Sequence, residues 1–166
     1  MPLKNKGAEM KSINDWLNAY GESHKNSINK LIHWFCVPLI TFTLLGLLSL
    51  ANWQFNINEN TYKISLATFL FLIAILFYIR LSITITIGMA IFTGVSLFYI
   101  NILENTFTNS LLIKYYFTVF TIAWIGQFIG HKIEGKKPSF IEDIQFLLIG
   151  PAWLLSFLYK KLNIPV

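Results

Sequence analysis

Gln127, His131 and Glu134 stand at offsets i, i+4 and i+7. On a helix turning about 100° per residue they share one face, so a carboxamide, an imidazole and a carboxylate line up. They close the stretch 124–138, WIGQFIGHKIEGKKP, which begins as apolar helix and ends as a basic loop holding Gly135 and Pro138. Polar side chains aligned where a membrane helix leaves the bilayer are costly, and such groups mark functional sites. The chain has two other histidines, His24 and His33, nine residues apart. On one straight helix that spacing puts them on opposite sides. They serve one centre only if the chain breaks between them, and Lys25-Asn26-Ser27 supplies a break, with Asn26 or Ser27 able to cap a new helix. Asn29 then precedes His33 by one turn, as Gln127 precedes His131, giving each imidazole a carboxamide neighbour able to orient it.

Three nitrogen donors with open positions suit Fe(II), Zn(II) or another imidazole-favouring metal. Exchanging one of them for Glu134 gives the two-His, one-carboxylate face used in O2 activation. Blander roles compete at each position. An interfacial histidine is commonly a hydrogen-bonded structural residue, and Glu134 can pair with Lys132 or Lys137 as surface charge. Asn29 and Gln127 can bond backbone around Pro38, while Asp15, Glu22, Glu142 and Asp143 read as solvated surface. At the level of the whole protein, two other readings stand beside the metal enzyme. One is a haem electron carrier with His33 and His131 as axial ligands, which leaves His24 without a task. The other is a structural or partner-binding membrane protein. No HExxH, GxSxG or P-loop occurs, which argues against zinc protease, serine hydrolase and NTPase chemistry.

The elements that position these residues belong to an all-α, multi-pass membrane bundle forming a single domain. Only 13% of the 166 residues are charged and 55% are apolar, against about a quarter charged in soluble domains. The net charge of +5 has no Lys/Arg stripe or nucleic-acid motif behind it, so nucleic acid is not expected as a partner. A lone cysteine, Cys36, excludes an intrachain disulfide. The first thirty residues are polar and contain no cleavable signal pattern. Within them Ile13, Trp16, Leu17 and Tyr20 recur at helical spacing after Ser12, a plausible N-cap, which predicts a short amphipathic helix on the membrane surface or the bundle. Residues 31–50 form the first span, bracketed by Trp34 and Trp53, with Pro38 one turn inside. Residues 52–60 read as a short polar loop. The run 64–100 is too long for one crossing and must fold back near Arg80 and Ser82, giving spans two and three. Residues 111–130 form the fourth. The last apolar run, 144–158, is short and interrupted by Gly150-Pro151, so it reads as re-entrant or interfacial, a fifth span being the alternative. Lys and Arg gather on the amino-terminal segment, at Arg80 and after span four, which orients the amino terminus and all three histidines to the cytoplasm. A bacterial inner membrane and an endoplasmic reticulum impose the same pattern.

Tyr20-x3-His24-x4-Asn29-x3-His33-x4-Pro38, followed by Gln127-x3-His131-x2-Glu134-x3-Pro138 and Gly150-Pro151, resembles the Mpo1-like (DUF962) family of small membrane proteins over nearly the whole chain. The resemblance implies an Fe(II)-dependent, O2-using enzyme of fatty acid α-oxidation. Such an enzyme converts a 2-hydroxy fatty acid to an acid one carbon shorter plus CO2. It also implies that His24, His33 and His131 hold the iron, with Glu134 at the family's acidic position. One departure is that Gly150-Pro151 is followed by AWLLSFLYKK, where family members often carry an acidic residue. With its tail between helices, a 2-hydroxy acid would place its carboxylate and hydroxyl at the metal beside O2, and Lys132, Lys136 and Lys137 are the candidates to draw that carboxylate in.

Overall fold

The computed structural model describes residues 11–57, 60–138 and 145–166. Lys4, Lys6, Glu142, Asp143 and the start of the last apolar run at Ile144 lie outside the described residues. Six helices and one hairpin follow in order: α1 (Ile13–Gly21), α2 (Ser27–Leu50), β1 (Asn52–Ile57), β2 (Asn60–Ser65), α3 (Leu66–Ile79), α4 (Ile83–Thr106), α5 (Asn109–Glu134) and α6 (Phe146–Lys161). Three of them, α2, α4 and α5, are long and apolar enough to cross a membrane.

Each boundary has a local cause. Ser12 caps α1 through a capping box with Asp15, and the four apolar residues of its stripe, Ile13, Trp16, Leu17 and Tyr20, are all buried. They pack on the bundle, where the Trp16 ring meets Phe146 edge-on at 5.4 Å. Of the two candidate caps, Asn26 starts α2, accepting from Ile28 N at 2.8 Å and Asn29 N at 3.4 Å. The fold-back falls where expected: Arg80 ends α3 and Ser82 caps α4. Gly135 ends α5 in the left-handed region (φ 74°), with Lys136 N returning to His131 O.

Three expectations need correction. Residues 52–57 are not a loop; they form a strand paired antiparallel with the one that starts at Asn60, with Trp53 opposite Ile64 and Phe55 opposite Tyr62. Alternating Trp53, Phe55 and Ile57 carry the period of two that signals a strand. Helix α3 has 14 residues, about 21 Å at 1.5 Å per residue, and is shorter than the full span expected there. Gly150-Pro151 does not interrupt α6, which runs through both. Pro151 has no N–H to offer Leu147 O, four residues earlier, and the Tyr78 hydroxyl donates to the next carbonyl, Leu148 O, at 2.6 Å, which anchors this turn to α3. At its other end, Tyr159 donates to Thr84 O at 2.9 Å. Tyr78 and Thr84 flank the α3–α4 turn, so both ends of α6 dock at one end of the bundle.

The pair that matters most for the site is α2 against α5, and small residues bring them together. A Cβ on Gly46 would lie 2.6 Å from the Tyr116 ring, and one on Gly126 would lie 2.8 Å from Cys36 Sγ. One on Gly130 would collide with Asn29 Oδ1. Gly46→Leu should therefore force the two helices apart, costing on the order of 1–3 kcal/mol by overpacking. Thermal unfolding in detergent should show a lower midpoint, together with weakened metal retention; an unchanged midpoint would mean that the Tyr116 ring moves aside freely. At the far end, Glu104 receives Lys63 from β2 and Ser49 from α2, which ties the hairpin to the bundle.

Candidate metal centre

The loop between α1 and α2 delivers His24, the first turns of α2 deliver His33, and the last turn of α5 delivers His131. All three are at least 96% buried, with exposures of 1%, 0% and 4%. Their ring centroids lie 4.3, 4.9 and 5.0 Å apart. One ligand atom from each falls within 4.8 Å of the others, making a group able to hold a metal ion.

Hydrogen bonding decides which nitrogens are available. His24 Nδ1 faces Tyr20 O at 2.6 Å and His33 Nδ1 faces Asn29 O at 2.9 Å. A carbonyl oxygen only accepts, so each Nδ1 carries the hydrogen and each Nε2 is left with a lone pair. Those two Nε2 atoms lie 2.9 Å apart. Two lone pairs meeting in a buried site repel unless a cation lies against both. A proton is a poor candidate at neutral pH, because burial pushes the His24 imidazole down to about 4. His131 adds a buried Nδ1 without a hydrogen-bond partner, an atom that costs stability unless some ligand satisfies it. The donor set therefore fits a metal that accepts imidazole nitrogen. It does not fit haem: centroids 5.0 Å apart at His33 and His131 leave no room for a porphyrin between them.

The residues expected to assist fall differently. Glu134 is not in the histidine group. Its Oε1 accepts from Lys25 N at 2.8 Å, and its Oε2 accepts from Asn26 N at 2.8 Å and Asn29 Nδ2 at 3.1 Å. Neither Lys132 nor Lys137 is its partner in these bonds. A carboxylate from the end of α5 thus clasps the start of α2, where the helix dipole favours negative charge. This fixes the loop carrying His24. Asn29 orients His33 through its backbone carbonyl rather than its carboxamide, which instead donates to Ser23 O at 3.2 Å and to Glu134. Its Oδ1 faces the hydrogen that Gly130 carries in place of a side chain. Gln127 is buried, and its side chain bears on His33. Lys136 donates to Glu22 O at 2.7 Å, strapping the loop after α5 to the end of α1, and Lys132 and Lys137 are exposed.

Sequence reasoning missed the aromatic wall. Tyr20 stacks on His24 at 4.1 Å with 11° between the planes, and Trp153 of α6 tilts against the same ring at 5.1 Å. Gly150 allows this closeness, since a Cβ there would lie 3.0 Å from the Tyr20 hydroxyl. The signal available was Tyr20, four residues before His24 and thus one turn away. Nothing in the sequence pointed to Trp153. Two spaces flank the cluster. On the His24 side, a recess of about 540 Å³ is lined in part by Lys25, Lys30 and Lys160. On the other side, His131, Gln127 and Tyr20 line a cavity of about 40 Å³.

A family model described as 2-hydroxy-palmitic acid dioxygenase Mpo1-like matches residues 10–162. The 2-hydroxy-palmitic acid dioxygenase MPO1 of Saccharomyces cerevisiae is 29% identical over 157 residues, covering 93% of this chain and 84% of the yeast protein. No solved structure matches the chain.

Proposed function

The chain belongs to the Mpo1-like family, and from that premise we propose that it is a membrane Fe(II)-dependent dioxygenase of 2-hydroxy fatty acids. The reaction turns a 2-hydroxy acid and O2 into the acid one carbon shorter, CO2 and water. All four electrons taken up by O2 come from the substrate, so no external reductant is needed. The observation that carries this reading is the pair of imidazole lone pairs held face to face, 2.9 Å apart. His24, His33 and His131 are the residues that would hold the ion. Bound there, iron supplies the redox chemistry that couples O2 to cleavage between C1 and C2.

The protein's own part is positioning. Tyr20 O and Asn29 O hold the hydrogens of His24 and His33 on the outward nitrogens. Glu134 keeps the His24 loop closed over α2. Tyr20 and Trp153 shield the His24 ring from water. The cationic rim of the recess, with Lys30 and Lys160, attracts the substrate carboxylate better than Lys136, which is engaged with Glu22 O. In the membrane, α2, α3, α4 and α5 serve as the spans, with β2 helping the short α3 to reach the interface, and α6 stays on the histidine side. The concentration of lysines at that end supports a cytoplasmic site.

Purified protein loaded anaerobically with Fe(II) and then given O2 and 2-hydroxypalmitic acid should release the shortened acid and CO2 in equal amounts. Protein loaded with Zn(II), which has no redox chemistry, should release neither. Iron-loaded protein that leaves the 2-hydroxy acid intact would defeat the reading.

A further inference from the structure

Below the histidine cluster lies a predominantly apolar chamber of about 520 Å³, walled by α2, α3, α4, α5 and α6. Its lining residues Ile40, Thr41, Trp124, Leu147 and Pro151 also line the small cavity at His131 and Gln127, so the two spaces lie side by side and share these walls. Protein interiors rarely leave voids larger than a water molecule, and a void of this polarity does not hold ordered water. An apolar occupant suits such a lining better than water. Leu45, Leu70 and Thr93 line it on the side of α2, α3 and α4. Beneath them sits a separate core cluster of Leu45, Ala67 and Ile100, against which Leu70 and Leu97 pack. The depth along α5, from His131 to Phe120, is roughly 16 Å at 1.5 Å per residue. One leaflet of a roughly 30 Å hydrocarbon core is about that deep, so the path from His131 to the level of Phe120 in the chamber is as long as a single membrane acyl chain.

We propose that this chamber receives the acyl chain of the substrate, methyl end down, and that Leu45, Leu70 and Thr93 form the floor that sets chain length. The identity of the head group rests on the dioxygenase reading. The chamber itself rests on the walls it shares with the His131 cavity, on the distance from His131 to its Phe120 level and on its apolar lining.

Two measurements test it. The first compares kcat/KM for a long and a short 2-hydroxy acid, as a ratio within each variant. Thr93→Phe raises the floor and should lower the long-to-short ratio by about 10-fold or more, the discrimination expected for one misplaced methylene. Leu45→Ala lowers the floor and should raise the ratio. Two active variants with the wild-type ratio would overturn the proposal. The second measurement needs no turnover. Wild-type protein is photolabelled with palmitic acid carrying a diazirine at its methyl end, and the label should fall on Leu45, Leu70 or Thr93. Label confined to outward-facing residues such as Phe117 and Ile122 would overturn the proposal. So would floor labelling by a phospholipid chain that excess palmitic acid fails to displace. Floor labelling by the fatty acid in a protein that turns over no 2-hydroxy acid would leave the chamber standing and remove the dioxygenase reading.

Discussion

Alanine at any one of His24, His33 or His131 should strip the purified protein of its metal, from about one ion per chain to a trace, and abolish turnover with it. The three side chains come from a loop, the start of α2 and the end of α5, and one atom of each lies within 4.8 Å of the others. Removing one leaves two donors on a buried site, and among the described residues no free carboxylate adjoins it, since both oxygens of Glu134 are engaged elsewhere. The loss should exceed the roughly 10–100-fold in affinity that changes to the groups behind metal ligands produce. Elemental analysis of the three variants checks this, with Cys36→Ser as a control that keeps its metal. Thermal unfolding adds a second readout. Saturating metal should raise the wild-type midpoint, by about 2.7 kcal/mol of stability at a hundredfold excess over Kd, and should leave each alanine variant unmoved. A variant that keeps full metal content would remove that histidine from the ligand set.

Glu134→Ala should loosen the site without emptying it. The substitution leaves Lys25 N, Asn26 N and Asn29 Nδ2 without their shared acceptor. Part of that cost is recovered from water, because the clasp lies near the surface, so the net loss of stability is roughly 1–3 kcal/mol. The freed loop carries His24, and metal affinity should fall about 10–100-fold, as when a partner that orients a ligand is removed. Excess Fe(II) should then restore most of the turnover. Glu134→Gln keeps one accepting oxygen and should fall between alanine and wild type. Iron-saturated Glu134→Ala that stays inactive would show instead that the carboxylate takes part in the chemistry, as the alternative two-His, one-carboxylate arrangement requires.

Much of the site was legible in the order of residues because its constraints are local. Asn26 caps α2 as its type and position suggested. The nine-residue gap between His24 and His33 demanded a break, and the break lies there. The fold-back at Arg80 and Ser82 followed from a run too long for one crossing, and the amphipathic stripe of α1 from its period. Gly126 and Gly130, four apart and facing α2, were a readable packing signal that the polar residues beside them obscured. The hairpin was readable too, in the alternation of Trp53, Phe55 and Ile57, but its polar neighbours suggested a loop.

By itself, then, the chain's sequence determined the helices, most of their caps and the apolar lengths of the three that can cross a membrane, since periodicity, turn chemistry and hydropathy act over a few residues. Tertiary structure alone decided which nitrogens keep their lone pairs, because the carbonyls that fix the tautomers take their direction from folded backbone. It also set Glu134 as a clasp on Asn26 across 108 residues of sequence. It anchored the first turns of α6 to α3, through the Tyr78 hydroxyl on Leu148 O. And it opened a chamber among five helices whose apolar residues, read singly, look like any others facing lipid.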